Sequence, residues 1–152
     1  MTLQTALFSN SVEPEANAAV ADFASSRIWG EPGRFDRYCT LGVFQNEGLI
    51  AGVVYHNYDP QAGVVEMSAG AVSKRWLARP VLREMYSIAF DQLGCQAVIA
   101  RHAEDRCDLR RMWKAVGAVE YVIPRLRGRN APAEVVSILT EEAWKASPYM
   151  RH

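Results

Sequence analysis

Lys74, Arg75 and Arg79 crowd the start of a helix that opens at Pro80, and no acidic side chain follows until Glu84. Proline suits the first helical position, where the backbone N–H has no intrahelical partner and the fixed φ favours the turn. Helix starts usually carry Asp or Glu to complement the macrodipole. A start surrounded only by bases therefore turns its positive end toward an external anion, and phosphate or pyrophosphate is the natural candidate. The strand before this turn, VVEMSAGAV, carries one acid, Glu66. Strand alternation puts Glu66, Ser68 and Gly70 on one face, so Ser68 can orient a water for Glu66 acting as a proton acceptor. Equally, Glu66 reads as a partly exposed strand glutamate or one half of a structural salt bridge.

His56 lies in YHNYD, the end of the preceding strand, and histidine is the side chain most readily tuned to take a proton near neutral pH. Its alternatives are a hydrogen-bonded turn residue or a substrate contact. Tyr55 and Tyr58 beside it suit an acceptor pocket or ordinary packing. Further along, Arg106, Arg110 and Lys114 form one helical stripe, with Arg111 beside it. The stripe reads either as a contact for a ligand phosphate or as a solvated face balanced by Glu104, Asp105 and Asp108. Trp113 falls on the apolar stripe with Leu109 and Met112, which makes core packing its default. Arg125, Arg127 and Arg129 follow in a polar loop.

The elements that position these residues follow from periodicity. Pro14 opens a helix in which Val20, Phe23, Ala24 and Ile28 recur at helical spacing, and Gly30 with Pro32 closes it. YCTLGVF, LIAGVVYHNY and VVEMSAGAV are separated by turns at 45–48 and 59–63, which predicts three sequential antiparallel strands. Leu82, Met85, Tyr86, Ala89 and Leu93 then repeat at i, i+3, i+4, i+7 and i+11, and Gly94 stops that helix. The strand CQAVIA, a helix ending at Gly117, and the strands VEYVIP and EVVSIL complete the order. The parallel strand–helix–strand crossover through Val64–Ala100 places any ligand at the carboxyl ends of its strands, at the SKRWLARP turn.

The chain has 152 residues, enough for one domain with a hydrophobic core, and residues 1–152 are read as one. Its 17 Lys and Arg balance 17 Asp and Glu, so no broad basic field argues for nucleic acid. Cys39, Cys95 and Cys107 show neither disulfide nor metal-ligand spacing, and no metal is expected. MTLQTALFSNSVEPE lacks the basic and apolar regions of a signal peptide, and no stretch reaches bilayer length. A cytoplasmic protein with reduced thiols and no membrane partner is the expectation, with a homodimer left open.

With this element order and turn, the chain resembles the GNAT acyltransferase superfamily over nearly its whole length, most closely through Val53–Gly117. The resemblance implies an α+β fold with a central mixed, mostly antiparallel sheet flanked by helices. It also implies acetyl-CoA, or another acyl-CoA, as cosubstrate and an unidentified amine as acceptor. In that family a Q/RxxGxG/A loop grips the pyrophosphate; the counterpart here is RWLARPVL. Reading from Leu77 puts Pro80 and Leu82 at the small positions, whereas reading from Arg75 puts Ala78 and Pro80 there. Trp76, Leu77, Ala78, Arg79, Pro80 and Val81 would hold the pyrophosphate, with Lys74 and Arg75 adding charge and Val72 beside the pantetheine. Arg106, Arg110 and Trp113 would add cofactor contacts, and His56 and Tyr58 would line the acceptor site. Glu66, aided by Ser68, would take the amine proton. The family's NxxxxxxYxxxG pattern reads here as Arg106, Trp113 and Gly117, and an indole cannot protonate a departing thiolate as a phenol can. A GNAT fold that binds CoA or a protein without transferring an acyl group is the alternative.

Overall fold

The computed structural model describes residues 2–150. The order is β1 (Gln4–Phe8), α1 (Pro14–Trp29), β2 (Tyr38–Gln45), β3 (Gly48–Asp59), β4 (Val64–Ala71), α2 (Arg79–Ser87), β5 (Ala97–Ala103), α3 (Cys107–Val116), β6 (Val119–Ile123), β7 (Glu134–Thr140) and α4 (Glu141–Ala146). The seven strands form one sheet in the order β1-β2-β3-β4-β5-β7-β6. All neighbours are antiparallel except β4 and β5. The mixed, mostly antiparallel sheet expected from the sequence is present, with helices on both faces. Two elements lie outside that expectation: β1, a short edge strand whose alternation is weak, and α4, a six-residue helix capped by Thr140, whose hydroxyl accepts from the Ala143 N–H. Short segments carry too few periods to announce themselves.

On one face lies the main core. Leu41, Val53, Tyr55, Val65, Met67, Val98 and Leu139 meet Met85 and Tyr86 of α2, Trp113 of α3 and Trp144 of α4. Tyr86 is fully buried and stands edge-to-face with Trp113 at 5.7 Å and tilted against Trp144 at 4.6 Å. Beyond Ser87 the helix widens into a π turn over Ile88–Gln92, and Gly94, at φ 71°, ends it in the left-handed conformation.

The other face is covered by α1, and the approach is close. A Cβ on Gly52 would sit 2.9 Å from the Val20 carbonyl, and one on Gly70 would sit 2.8 Å from that of Ala24. Backbone-to-sheet contact of this kind admits only glycine without displacement. The buried Asn17 ties the other end of the helix down, donating to Tyr38 O and accepting from Thr40 Oγ1. The buried stripe of α1 therefore runs through Asn17, Val20, Ala21, Ala24 and Ser25, while Ile28 and Trp29 emerge into solvent at the carboxyl end. The sequence pattern places Ile28 on the apolar stripe; in the structure it is 39% exposed and lines a cleft instead of the core.

Candidate active site

β4 and β5 are hydrogen-bonded partners only at Val64↔Ala97, Val65↔Val98 and Glu66↔Ile99. β4 continues along β3 to Ala71↔Ala51, and β5 continues along β7 to Ala103↔Glu134. The two strands diverge beyond Glu66, which leaves an opening in the sheet edged by Met67–Ala71 on one side and 100–103 on the other. A cleft of about 1460 Å³ runs through this opening and communicates with both faces of the sheet. Main-core residues Trp76, Leu77, Met85, Met112 and Trp113 line it, as do the α1-side residues Trp29, Phe35, His56, Glu66, Ser68 and Arg101.

At the edge of the opening stands a chain of polar groups. His56 is directly opposite Glu66 in the β3–β4 register. Its Nε2 lies 2.8 Å from Ser68 Oγ and 3.8 Å from Glu66 Oε2. The residue after His56 is Asn57, in the left-handed region at φ 51°, a conformation asparagine tolerates better than most residues. That turn brings its side chain back onto the strand pair, and Asn57 Nδ2 donates to Glu66 Oε1 at 3.0 Å. Arg101 Nε approaches the same oxygen at 3.5 Å from β5. Glu66 is 7% exposed, so this carboxylate is buried with partners, as burial of a charge requires. Burial pushes the His56 imidazole below the ordinary histidine value of 6.5; Glu66 opposes that shift and Arg101 adds to it. His56 is accordingly neutral at neutral pH and able to accept a proton. Phe35 stands edge-on to the imidazole at 4.9 Å, and Trp29 packs on Phe35 at 5.2 Å. The loop carrying Phe35 is stapled to α1, because Ser25 Oγ donates to Glu31 O and accepts from Arg34 N.

The second region is the turn between β4 and α2. Lys74–Trp76 make one 3-10 turn, in which Ser73 accepts from the Arg75 N–H, and α2 begins at Arg79. The α2 start has no side-chain cap and no acid in its first turn. Its bases are exposed, and the Arg79 guanidinium also lies 5.4 Å from the Tyr149 ring. Trp76 and Val81 are buried and anchor the turn from beneath, Leu77 and Ala78 are half-buried, and Val72 and Pro80 are exposed. Lys74, Trp76 and Leu77 line the cleft itself.

Other sequence candidates have structural partners. Arg110 makes a bidentate pair with Glu120, at 2.8 and 3.1 Å, and donates to Glu104 O; Arg106 pairs with Asp108. The Tyr58 hydroxyl donates to Leu93 O at 2.7 Å, which joins β3 to the end of the π turn that follows α2. Trp113 is 4% exposed and part of the aromatic core, although its edge reaches the cleft. Arg101, Asn57, Trp29 and Phe35 went unmarked in the sequence. Arg101 follows Ile99 by two residues, so the alternation of β5 combined with its register on β4 is the signal that places it beside Glu66. Among the described residues no cluster of His, Cys, Asp or Glu is arranged to hold a metal ion, and no helix is long and apolar enough to cross a membrane.

The sequence matches no family model and no curated protein. Solved structures do match. The spermidine/spermine N-acetyltransferase SpeG of Vibrio cholerae superposes with a TM-score of 0.70 at 12% identity, covering 94% of this chain and 97% of that one. The chain has the GNAT fold. A GNAT-family acetyltransferase from Bacillus anthracis matches at TM-score 0.57 and 14% identity, over 68% of this chain and 66% of that one. The Campylobacter jejuni N-acetyltransferase PseH in complex with acetyl coenzyme A matches at 0.52 and 16%, over 68% of each. The chain spans 63% of the length of two further matched structures. In this GNAT-fold chain, β4 and β5 part beyond Glu66 and the start of α2 carries no side-chain cap.

Proposed function

We propose that this protein is an acyl-CoA-dependent N-acyltransferase that passes an acetyl group directly to an amine. The observation that carries the reading is the opening between β4 and β5, with the Ser68–His56–Glu66 chain on its rim and a base-rich, uncapped helix start at its mouth. The residues fit such a cosubstrate: the α2 start offers free amides and three bases to a pyrophosphate, and the cleft admits a narrow arm between the strands. The PseH neighbour, crystallised with acetyl coenzyme A, supports the choice of ligand. When bound, the thioester supplies the acyl group and its sulfur leaves with the electrons of the broken C–S bond as the amine nitrogen forms the new C–N bond.

The chain's own residues handle the proton. The amine gives a proton to Ser68 Oγ as Ser68 passes its own to His56 Nε2, 2.8 Å away. The Glu66 carboxylate, 3.8 Å from that nitrogen, stabilises the imidazolium, and Asn57 and Arg101 hold the carboxylate in place. His56 then returns the proton through Ser68 to the thiolate, which removes the need for a phenol at Trp113. Positioning of two bound reactants supplies most of the acceleration in such a transfer. Trp113 and the glycine-free loop favour the other reading, a GNAT fold retained for binding alone.

Calorimetry with acetyl-CoA, followed by thiol release against a panel of amines, tests the proposal. Saturable heat with turnover of at least one amine is expected. No heat at millimolar acetyl-CoA removes the cosubstrate, and binding without turnover selects the binding module.

A further inference from the structure

We infer that the acceptor is an α-amino acid with an apolar side chain, its amine presented to Ser68 and its carboxylate held by Arg101. The inference rests on the acyltransferase reading above and names the substrate class of that same cleft.

Arg101 lies two residues beyond the last β4–β5 rung, on the face of Glu66 and Ser68, so it flanks the opening directly across from Ser68. Its side chain is 50% exposed, and its ion contact is a long one, through Nε at 3.5 Å. Among the described residues Glu66 is the ion-pair partner of the Arg101 guanidinium, which makes no hydrogen bond. Arginine prefers to meet a carboxylate through two parallel N–H bonds, and the Arg101 guanidinium lines the cleft half-exposed with no such pair of bonds made.

The acids of the cleft argue in the same direction. Glu66 is already occupied by Asn57, Arg101 and His56; Asp108 is paired with Arg106, and Glu134 with Arg127. Asp36 and Asp105 are exposed at the rim. No inward carboxylate remains to receive the second ammonium of a polyamine, whereas an amine that brings its own carboxylate finds a cation waiting. Ser68 and Arg101 both border one opening and both connect to the single Glu66 carboxylate, directly or through His56, so amine and anion must be only a few bonds apart. Beside them, Phe35 against His56, Trp29 against Phe35, and Ile28 along the same cleft form a largely apolar wall, in which Trp29 remains 42% exposed with the Arg34 guanidinium 4.8 Å from its ring. A side chain that covers this wall gains from leaving water.

Thiol release from acetyl-CoA is measured with L-phenylalanine and L-methionine, with L-phenylalaninamide, and with spermidine. The free amino acids are expected to exceed the amide in kcat/KM by about tenfold or more, the scale of a charge-assisted hydrogen-bonded pair. In Arg101→Gln that preference collapses, chiefly through KM, and Arg101→Lys restores part of it. An equal loss on acid and amide through kcat would make Arg101 a positioning residue for Glu66 and overturn the inference. Preference for spermidine would overturn it while leaving acyl transfer intact. If acetyl-CoA binds and no amine turns over, L-phenylalanine is titrated into the CoA-loaded protein, and absence of heat overturns the inference. Absence of acetyl-CoA binding itself sinks the acyltransferase reading instead.

Discussion

Two arginine–glutamate pairs in this molecule differ in how completely they satisfy each other. Arg110 and Glu120 meet through two parallel bonds at 2.8 and 3.1 Å, Lys114 approaches the second oxygen at 3.3 Å, and Arg110 also donates to Glu104 O. The arginine hydrogen bonds hold the Glu120 carboxyl at about 2. Arg101 and Glu66 meet at 3.5 Å through one nitrogen, in a cleft, with His56 at 3.8 Å on the other oxygen. The first cluster is closed: every charge has its partner within the chain, and it joins α3 to β6. The second is open: the imidazole is neutral, the guanidinium is half-exposed on one long ion contact, and both line the cleft where β4 and β5 part. Charge density alone does not mark a site; residual valence beside a cavity does.

The largest effect expected from breaking this contrast is at His56. His56→Gln should lower kcat/KM by roughly 10²–10⁴-fold, the scale of a positioned proton acceptor, with thermal stability little changed. The wild-type profile should rise with pH through an ionisation below 6.5, because burial depresses the imidazole pKa and only its neutral form accepts a proton. That limb should vanish in the variant. The same depression at His56 and at the buried His102 predicts stability that is complete above about 6.5 and falls as pH drops through their folded-state values.

Trp113→Ala asks whether α3 is scaffold: it should cost about 3–5 kcal/mol in chemical denaturation, the range for a buried large aromatic. Full stability with lost acetyl-CoA binding would instead make Trp113 a ligand contact. Smaller is the effect of Arg75→Ala with Arg79→Ala. Their loss should weaken acetyl-CoA by about tenfold at low salt and less at high salt, where screening already reduces their attraction. An unchanged affinity places the pyrophosphate elsewhere. Smallest is Glu120→Gln, which should lower the Tm slightly and leave acetyl-CoA affinity and turnover untouched; a kinetic effect would bring the closed cluster into the site.

The long, strongly patterned elements were legible. The alternation of β2, β3 and β4, the spacing of Leu82, Met85 and Tyr86 in α2, and the helix-ending glycines Gly30, Gly94 and Gly117 each express local geometry, and each lies where it was expected. The co-facial placement of Glu66 and Ser68 was legible for the same reason. His56 opposite Glu66 was not, because register depends on turn geometry and bulges, and a slip of one residue would have turned His56 to the other face. The bases of the α2 start were visible as a local run; that Arg110 was already occupied was not, since its partner Glu120 lies beyond the turn, on β6.

Sequence by itself determined the long strands and helices and the types of group available for chemistry, since period-2 and period-3.6 patterns and capping residues act over a few positions, while the short β1 and α4 carried too few periods to show. Only the tertiary structure decided which of those groups meet. The parting of β4 and β5 and the arrival of Arg101 beside Glu66 depend on contacts between residues distant in the chain, and the closing of Arg110 onto Glu120 depends on how α3 turns into β6, where no local period carries information.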